Sequence, residues 1–295
     1  MQAFLHFSSS QADKQTIRVM SEIATSQGGA NYTPLSHSHT LGAAGFCTVS
    51  KPIDLASLRA LGDEACIDIN LQDSAPQVKK LMLCDMDSTI IIGESLDDLS
   101  EMAEIGEAVA AITARAMAGE LDFRQALDER LAMLKGEPVS LLDRLVQETK
   151  AFTGAAELVA TMRHHDAICL LVSGGFTFLT SDIAQRFGFT AHYANKLACA
   201  DGTISGYAEE PIIDSGAKLR ILQDYCQKYE IAPDEVMSMG DGANDIPMLK
   251  AAGLGIAWQA KPLVRQSIDI QLQHSTLCGP LFLQGLSEAA IKTSL

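Results

Sequence analysis

Four short, nearly unbroken hydrophobic runs constrain this chain more than any other feature: residues 81–84, 167–172, 236–239 and 254–257. A strand with one wet face alternates apolar and polar side chains, so runs without alternation belong to strands buried on both faces. The stretches between them, such as 217–229, carry apolar residues at helical spacing. Buried strands alternating with helices predict an α/β fold with a doubly wound parallel sheet. In such a sheet ligands bind beyond the carboxyl ends of the strands. The residues that follow each run are therefore where chemistry is to be sought.

The sequence before the first run has a different texture. Residues 3–7 read as a strand, 13–25 as a helix, 31–50 as two strands, 55–65 as a helix and 66–71 as a strand, with Ile17, Met20, Ile23 and Ala24 marking the first helix. This βαββαβ order predicts a small antiparallel sheet with two helices on one face. Gln72-Asp73-Ser74-Ala75-Pro76 is polar and ends in proline, as a linker does. A length of 295 residues suits two domains, an α+β unit over 1–76 and an α/β unit over 77–295. From about 95 to 152 the sequence is helix-like with no strand candidate. A helical insertion at that point would cover the carboxyl edge of the sheet as a cap.

Each run delivers its own polar set. The first ends in Asp85-Met86-Asp87-Ser88-Thr89, two carboxylates at i and i+2. A bare DxD is also an ordinary acidic turn. The second ends in Ser173-Gly174-Gly175-Phe176, where glycines let backbone N–H groups approach an anion at a helix start, or simply make a turn. The third ends in Gly240-Asp241-Gly242-Ala243-Asn244-Asp245, a hard-oxygen cluster suited to Mg²⁺ and without the spacing of a calcium loop. Lys218 opens a helix between the last two; alone, it would be a solvated surface lysine.

With 37 Asp+Glu against 22 Lys+Arg, the chain carries −15 at pH 7. Nothing supplies a basic footprint for nucleic acid or an anionic membrane. An anionic small molecule stays acceptable where local cations or a metal reverse the field. The seven cysteines include no CxxC, which fits core residues in a reducing compartment and neither a disulfide framework nor a zinc site. No basic leader precedes a long apolar run, and no stretch approaches the roughly 18 apolar residues of a membrane span. A cytoplasmic location is expected, and a homodimer is compatible with the sequence. His37 and His39, on one face of an expected strand, have no third ligand in view and read as surface residues.

Taken in order, DxDST, SGG, Lys and GDGAND resemble the four signatures of the haloacid dehalogenase-like phosphohydrolases, over about 80–260. No Walker GxxxxGK[ST] is present, which excludes a P-loop nucleotidase. Glu94, residues 112–117 and 119–130, the SGGF run, Gly206 in an expected hairpin at 204–208, and Ala257-Trp258-Gln259-Ala260-Lys261-Pro262 are similar to the phosphoserine phosphatase branch. The βαββαβ unit resembles an ACT-like regulatory domain, frequent in bacterial members.

That resemblance implies a Mg²⁺-dependent hydrolase of O-phosphoserine, with Asp85 as nucleophile forming an aspartyl-phosphate and Asp87 as general acid, then base. It places Mg²⁺ on Asp85, the Asp87 carbonyl and Asp241, with Asp245 and Asn244 behind the metal or facing substrate. Ser173, Gly174 and Lys218 would hold the phosphoryl oxygens. Glu94 suits the substrate ammonium and Arg130 its carboxylate, by a bidentate fork. Met117 and Phe123 are either cap core or substrate contacts. The alternatives are a related phosphohydrolase or phosphotransferase, for instance on phosphohomoserine, and a non-catalytic serine sensor.

Overall fold

The computed structural model describes residues 3–50 and 52–294, without the side chains of Ala30, Met117 and Ser215. The N-terminal elements are β1 (Ala3–Ser9), α1 (Lys14–Ser26), β2 (Ala30–Ser38), β3 (Gly42–Val49), α2 (Leu55–Glu64) and β4 (Asp68–Gln72). They form an antiparallel sheet of order β2-β3-β1-β4. Asp13 and Asp54 cap the two helices by accepting from the Thr16 and Ser57 N–H groups. Leu5 and Phe7 point to the helices and join Met20, Ala24 and Leu58 in one apolar cluster. Two expectations shift. β4 begins at Asp68, since Cys66 turns the chain out of α2 in the left-handed region (φ 54°). β2 stops at Ser38, so His39 lies in the turn; both His37 and His39 are exposed.

The second sheet is built from β5 (Leu81–Cys84), then, after the insertion, β6 (Ile168–Phe176), β7 (Ala191–Ala200), β8 (Thr203–Glu209), β9 (Val236–Gly240), β10 (Leu254–Trp258) and β11 (Ile270–Leu272). The order is β11-β10-β9-β5-β6-β7-β8, parallel except for β8. The four predicted buried strands are its centre, and the side chains of Leu81 to Cys84 are fully buried. The chain leaves β5 to one side for β6 and returns to its other side with β9, so the crevice between the ends of β5 and β9 is the topological switch point.

Helices α3 (Ser95–Met102), α4 (Gly106–Met117), α5 (Phe123–Met133) and α6 (Ser140–Glu148) make up the insertion, followed by α7 (Ala155–His164). Its two stems are tied together: Ile92 N–H donates to Lys150 O at 2.8 Å and Phe152 N–H to Ile90 O at 3.0 Å. Far from the stems, the loop after α5 bonds to the β7–β8 hairpin through Gly136 N–H to Ile204 O, 2.9 Å, and Ile204 N–H to Glu137 O, 2.8 Å. Gly206 (φ 84°) lets α5 sit on that hairpin, since a Cβ would lie 2.9 Å from the Lys135 Cβ. The remaining helices are α8 (Thr177–Phe187), α9 (Ser215–Tyr229), α10 (Ile246–Ala251), α11 (Pro262–Ser267), α12 (Gly279–Leu283) and α13 (Glu288–Thr293).

The face of the small sheet opposite α1 and α2 rests on the C-terminal helices. Leu35, Leu41 and Ala44 share one apolar cluster with Leu277, Leu281 and Ile291. The seam is also polar. Buried Asp68 accepts from the N–H groups of Gln273 (2.7 Å) and His274 and from the Ser275 hydroxyl. The Asn70 amide exchanges two hydrogen bonds with the backbone of Gln271, at 2.8 and 2.9 Å, as a neighbouring strand would.

His6 faces this seam, stacked on Phe46 at 5.5 Å, and neither ring nitrogen has a hydrogen-bond partner among the described residues. Burial lowers its pKa to about 4. The unfolded chain, with an ordinary histidine near 6.5, binds the proton first as pH falls, so stability is lost between about 6.5 and 4. Relative to His6→Leu, the wild type is expected to lose about 2 kcal/mol between pH 7.5 and 5, read by urea melts. Parallel pH profiles would disprove the assignment.

Candidate active site

The switch point receives one carboxylate from each side. Asp85 follows β5 and Asp241 follows β9, and with Asp245 they bring one oxygen each to within 4.8 Å of one another. Asp85 Oδ1 accepts from the Met86 N–H at 2.7 Å and lies 2.8 Å from Lys218 Nζ. Lys218, in the first turn of α9, is sandwiched between Asp85 and Asp245, the latter at 2.7 Å. Burial pulls its pKa down, but the two carboxylates outweigh it and hold the ammonium charged.

Asp87 Oδ1 accepts from the Ser95 N–H (2.7 Å) and Oδ2 from the Ser173 hydroxyl (2.9 Å). Burial, and then the charge of Asp85, push its pKa up to about 6. Asp87 is thus driven toward its protonated form, the state a general acid needs. Gly175 closes this corner. Its N–H donates to Ser173 Oγ at 2.8 Å, and a Cβ there would lie 2.8 Å from Asp87 Oδ2.

A cavity of about 230 Å³ opens over these groups, lined by Asp85, Asp87, Glu94, Phe123, Arg130, Gly174, Asp241, Asn244 and Lys261 among others. The insertion supplies its far wall as a cap. Arg130 Nε donates to Ala126 O at 3.1 Å, and its other two nitrogens have no hydrogen-bond partner among the described residues. Burial lowers the Arg130 pKa, opposed by Asp97 and Glu94. Burial, and then Asp87, push Glu94 up to about 7. The Phe123 ring stands 3.7 Å from where a Cβ on Gly174 would be. Met117 ends α4, with its side chain outside the described residues.

Residues 82–250 match the model of the haloacid dehalogenase-like hydrolase family. The chain belongs to that family. Haloacid dehalogenase-like hydrolases similar to it include the phosphoserine phosphatase of Streptococcus thermophilus, 41% identical, covering 68% of this chain and 94% of the relative. Phosphoserine phosphatase SerB2 of Mycobacterium tuberculosis is 36% identical over 82% of this chain, which spans 60% of that longer protein. A solved HAD-family hydrolase of Salmonella enterica serovar Typhi superposes with a TM-score of 0.85 at 26% identity, covering 96% of this chain and 98% of its own.

Within this hydrolase the sequence-derived residues come together at one edge of the sheet. Ser173 and Lys218 do not line the cavity: the serine hydroxyl is turned onto Asp87 and the lysine lies behind Asp85, both fully or nearly fully buried. Asp245, expected behind the metal or facing substrate, stands beside Asp85 and Asp241, with Lys218 holding its Oδ1 and the Gly242 N–H its Oδ2. Sequence reasoning missed Asn195. Fully buried on β7, it donates to Gly174 O and accepts from the Ile213 N–H, both at 2.7 Å, tying the glycine turn to the approach to α9. A lone asparagine in a strand gives no local signal of such a role.

Proposed function

We propose that this hydrolase converts O-phospho-L-serine to L-serine and phosphate, the closing step of serine biosynthesis. One observation carries the reading: the Asp85/Asp87 pair and the cap residues Glu94 and Arg130 face one cavity. A phosphomonoester seated over Asp85 would place an amino group within reach of Glu94 and a carboxylate within reach of Arg130.

Asp85 attacks phosphorus while Asp87, protonated below a pKa of about 6, delivers its proton to the departing serine oxygen. The resulting carboxylate of Asp87 then takes a proton from the water that hydrolyses the aspartyl-phosphate. Lys218 keeps Asp85 oriented and partly offsets its charge. Gly174 lines the cavity, and its backbone N–H would donate to the phosphoryl oxygens. The carboxylates of Asp85, Asp241 and Asp245 outnumber the one buried ammonium among them, Lys218, so a phosphate dianion needs further positive charge here. The hard oxygens of the acidic cluster fit Mg²⁺, which Asp85, Asp241 and the Asp87 carbonyl would hold beside Asp245. When bound it screens the phosphoryl charge.

Residues 1–76 are read as an ACT-like regulatory unit and 77–295 as the phosphatase. The βαββαβ order and the antiparallel strand order support this division. No helix among the described residues is long and apolar enough to cross a membrane, in keeping with a cytoplasmic enzyme acting on a small molecule.

Phosphate release is the test, from O-phosphoserine, phosphohomoserine, phosphoethanolamine and para-nitrophenyl phosphate, with Mg²⁺ or with EDTA. Phosphoserine should give the highest kcat/KM, and chelation should remove activity that Mg²⁺ restores. Phosphoethanolamine turned over as efficiently as phosphoserine would overturn the substrate assignment.

A further inference from the structure

Lys261 takes part in none of the steps above, yet it lines the cavity. Its backbone is tightly held. Gln259, in the left-handed region (φ 39°), donates to Leu272 O at 2.7 Å, and the Lys261 N–H donates to Asp241 O at 3.0 Å. The residue caps α11, whose Val264 and Arg265 N–H groups bond to its carbonyl. From this fixed base the side chain reaches two carboxylates that line the cavity, with Nζ 3.2 Å from Asp241 Oδ2 and 3.6 Å from Glu94 Oε1.

Glu94 is held on one side only. Oε1 also accepts from the Ser88 hydroxyl at 3.0 Å, while Oε2 has no hydrogen bond or ion pair among the described residues. Ser88 is itself set by a tight turn. It is left-handed (φ 52°), and its N–H bonds to Gly93 O at 2.9 Å. A carboxylate with one oxygen clamped between a hydroxyl and an ammonium has its rotation restricted, which leaves the other oxygen presented to a ligand. We propose that Lys261 is a positioning residue: with Ser88 it clamps Glu94 Oε1 so that Oε2 receives the ammonium of an amino-acid phosphomonoester. This rests on the reading of Glu94 given under the proposed function.

The test compares Lys261→Met, Lys261→Arg and Glu94→Gln in the full-length enzyme with saturating Mg²⁺. The substrates are O-phosphoserine and its deaminated analogue, 3-phosphooxypropanoate. Lys261 is more than half exposed, so the clamp is partly screened. Lys261→Met should raise KM for phosphoserine about 3- to 10-fold with kcat nearly unchanged, and leave phosphooxypropanoate unaffected. Lys261→Arg should restore most of the loss. Glu94→Gln that weakens only phosphoserine, alongside a Lys261→Met that changes neither substrate, would overturn the clamp and leave the Glu94 reading standing. Glu94→Gln that treats the two substrates alike would remove the reading itself. A Lys261→Met that shifts the half-saturating Mg²⁺ without discriminating the substrates would place its action on Asp241 and overturn the proposal.

Discussion

Asp85→Asn is expected to lose at least about 10⁴-fold in kcat, because an amide oxygen is a poor nucleophile toward phosphorus and no other carboxylate reaches the same place. The fold should survive. The new amide oxygen can still accept from the Met86 N–H and from Lys218, and Lys218 keeps its 2.7 Å contact with Asp245. Exchanging a buried carboxylate for an amide beside three other acids also relieves repulsion, so the melting temperature should match or exceed that of the wild type. Steady-state phosphate release on freshly purified protein, with its mass checked for deamidation, tests the rate; circular dichroism and a thermal melt test the fold. Near-normal turnover by the mass-verified Asp85→Asn variant would remove Asp85 from the nucleophile's role.

Arg130→Ala is expected to cost about 2–4 kcal/mol in kcat/KM for phosphoserine, or roughly 30- to 10³-fold. The guanidinium is half-buried, anchored by Nε to Ala126 O, with its other two nitrogens unpaired among the described residues, the state of a fork that awaits a carboxylate. The loss should be confined to substrates with a carboxylate, sparing para-nitrophenyl phosphate and phosphoethanolamine. Arg130→Lys should recover only part, since an ammonium cannot make two parallel contacts. Equal losses on all four would assign Arg130 to cap closure or to the phosphate instead.

Much of this site is legible in sequence because a parallel sheet brings the ends of its strands to one edge. Asp85, Ser173 and Asp241 each follow a run that could only be a buried strand, and the order of the runs supplies the rest. What local sequence cannot carry is direction. Ser173 reads as a ligand for phosphate, yet its hydroxyl points to Asp87, a choice made by Gly175 and by the path of α3. Lys218 reads as a surface lysine when taken alone, and only the packing of α9 against the ends of β5 and β9 buries it. β7 escapes a reading by hydrophobic runs because its apolar residues are interrupted by His192, Asn195 and Lys196, the mark of a strand near the sheet's edge. The seam between the two sheets leaves no trace either, since Asp68 and Asn70 meet partners some 200 positions away.

That separation has a consequence for how the chain is made. The Asp68 contacts to Gln273 and Ser275 span 205 and 207 residues, and Asn70 reaches Gln271 across 201. Ribosomes add about 5–20 residues per second, so the first four strands emerge on the order of ten seconds or more before β11 and α12 exist to cover them. During that interval the β4 margin is an open edge, the kind of surface on which nascent chains stick to one another. It carries aspartate and asparagine, whose side chains later pair with the backbone of residues 271, 273 and 274. A wet, charged margin waits safely for its distant partner, and the backbone N–H groups of residues 273 and 274 dock onto it only after some 200 further residues have been made.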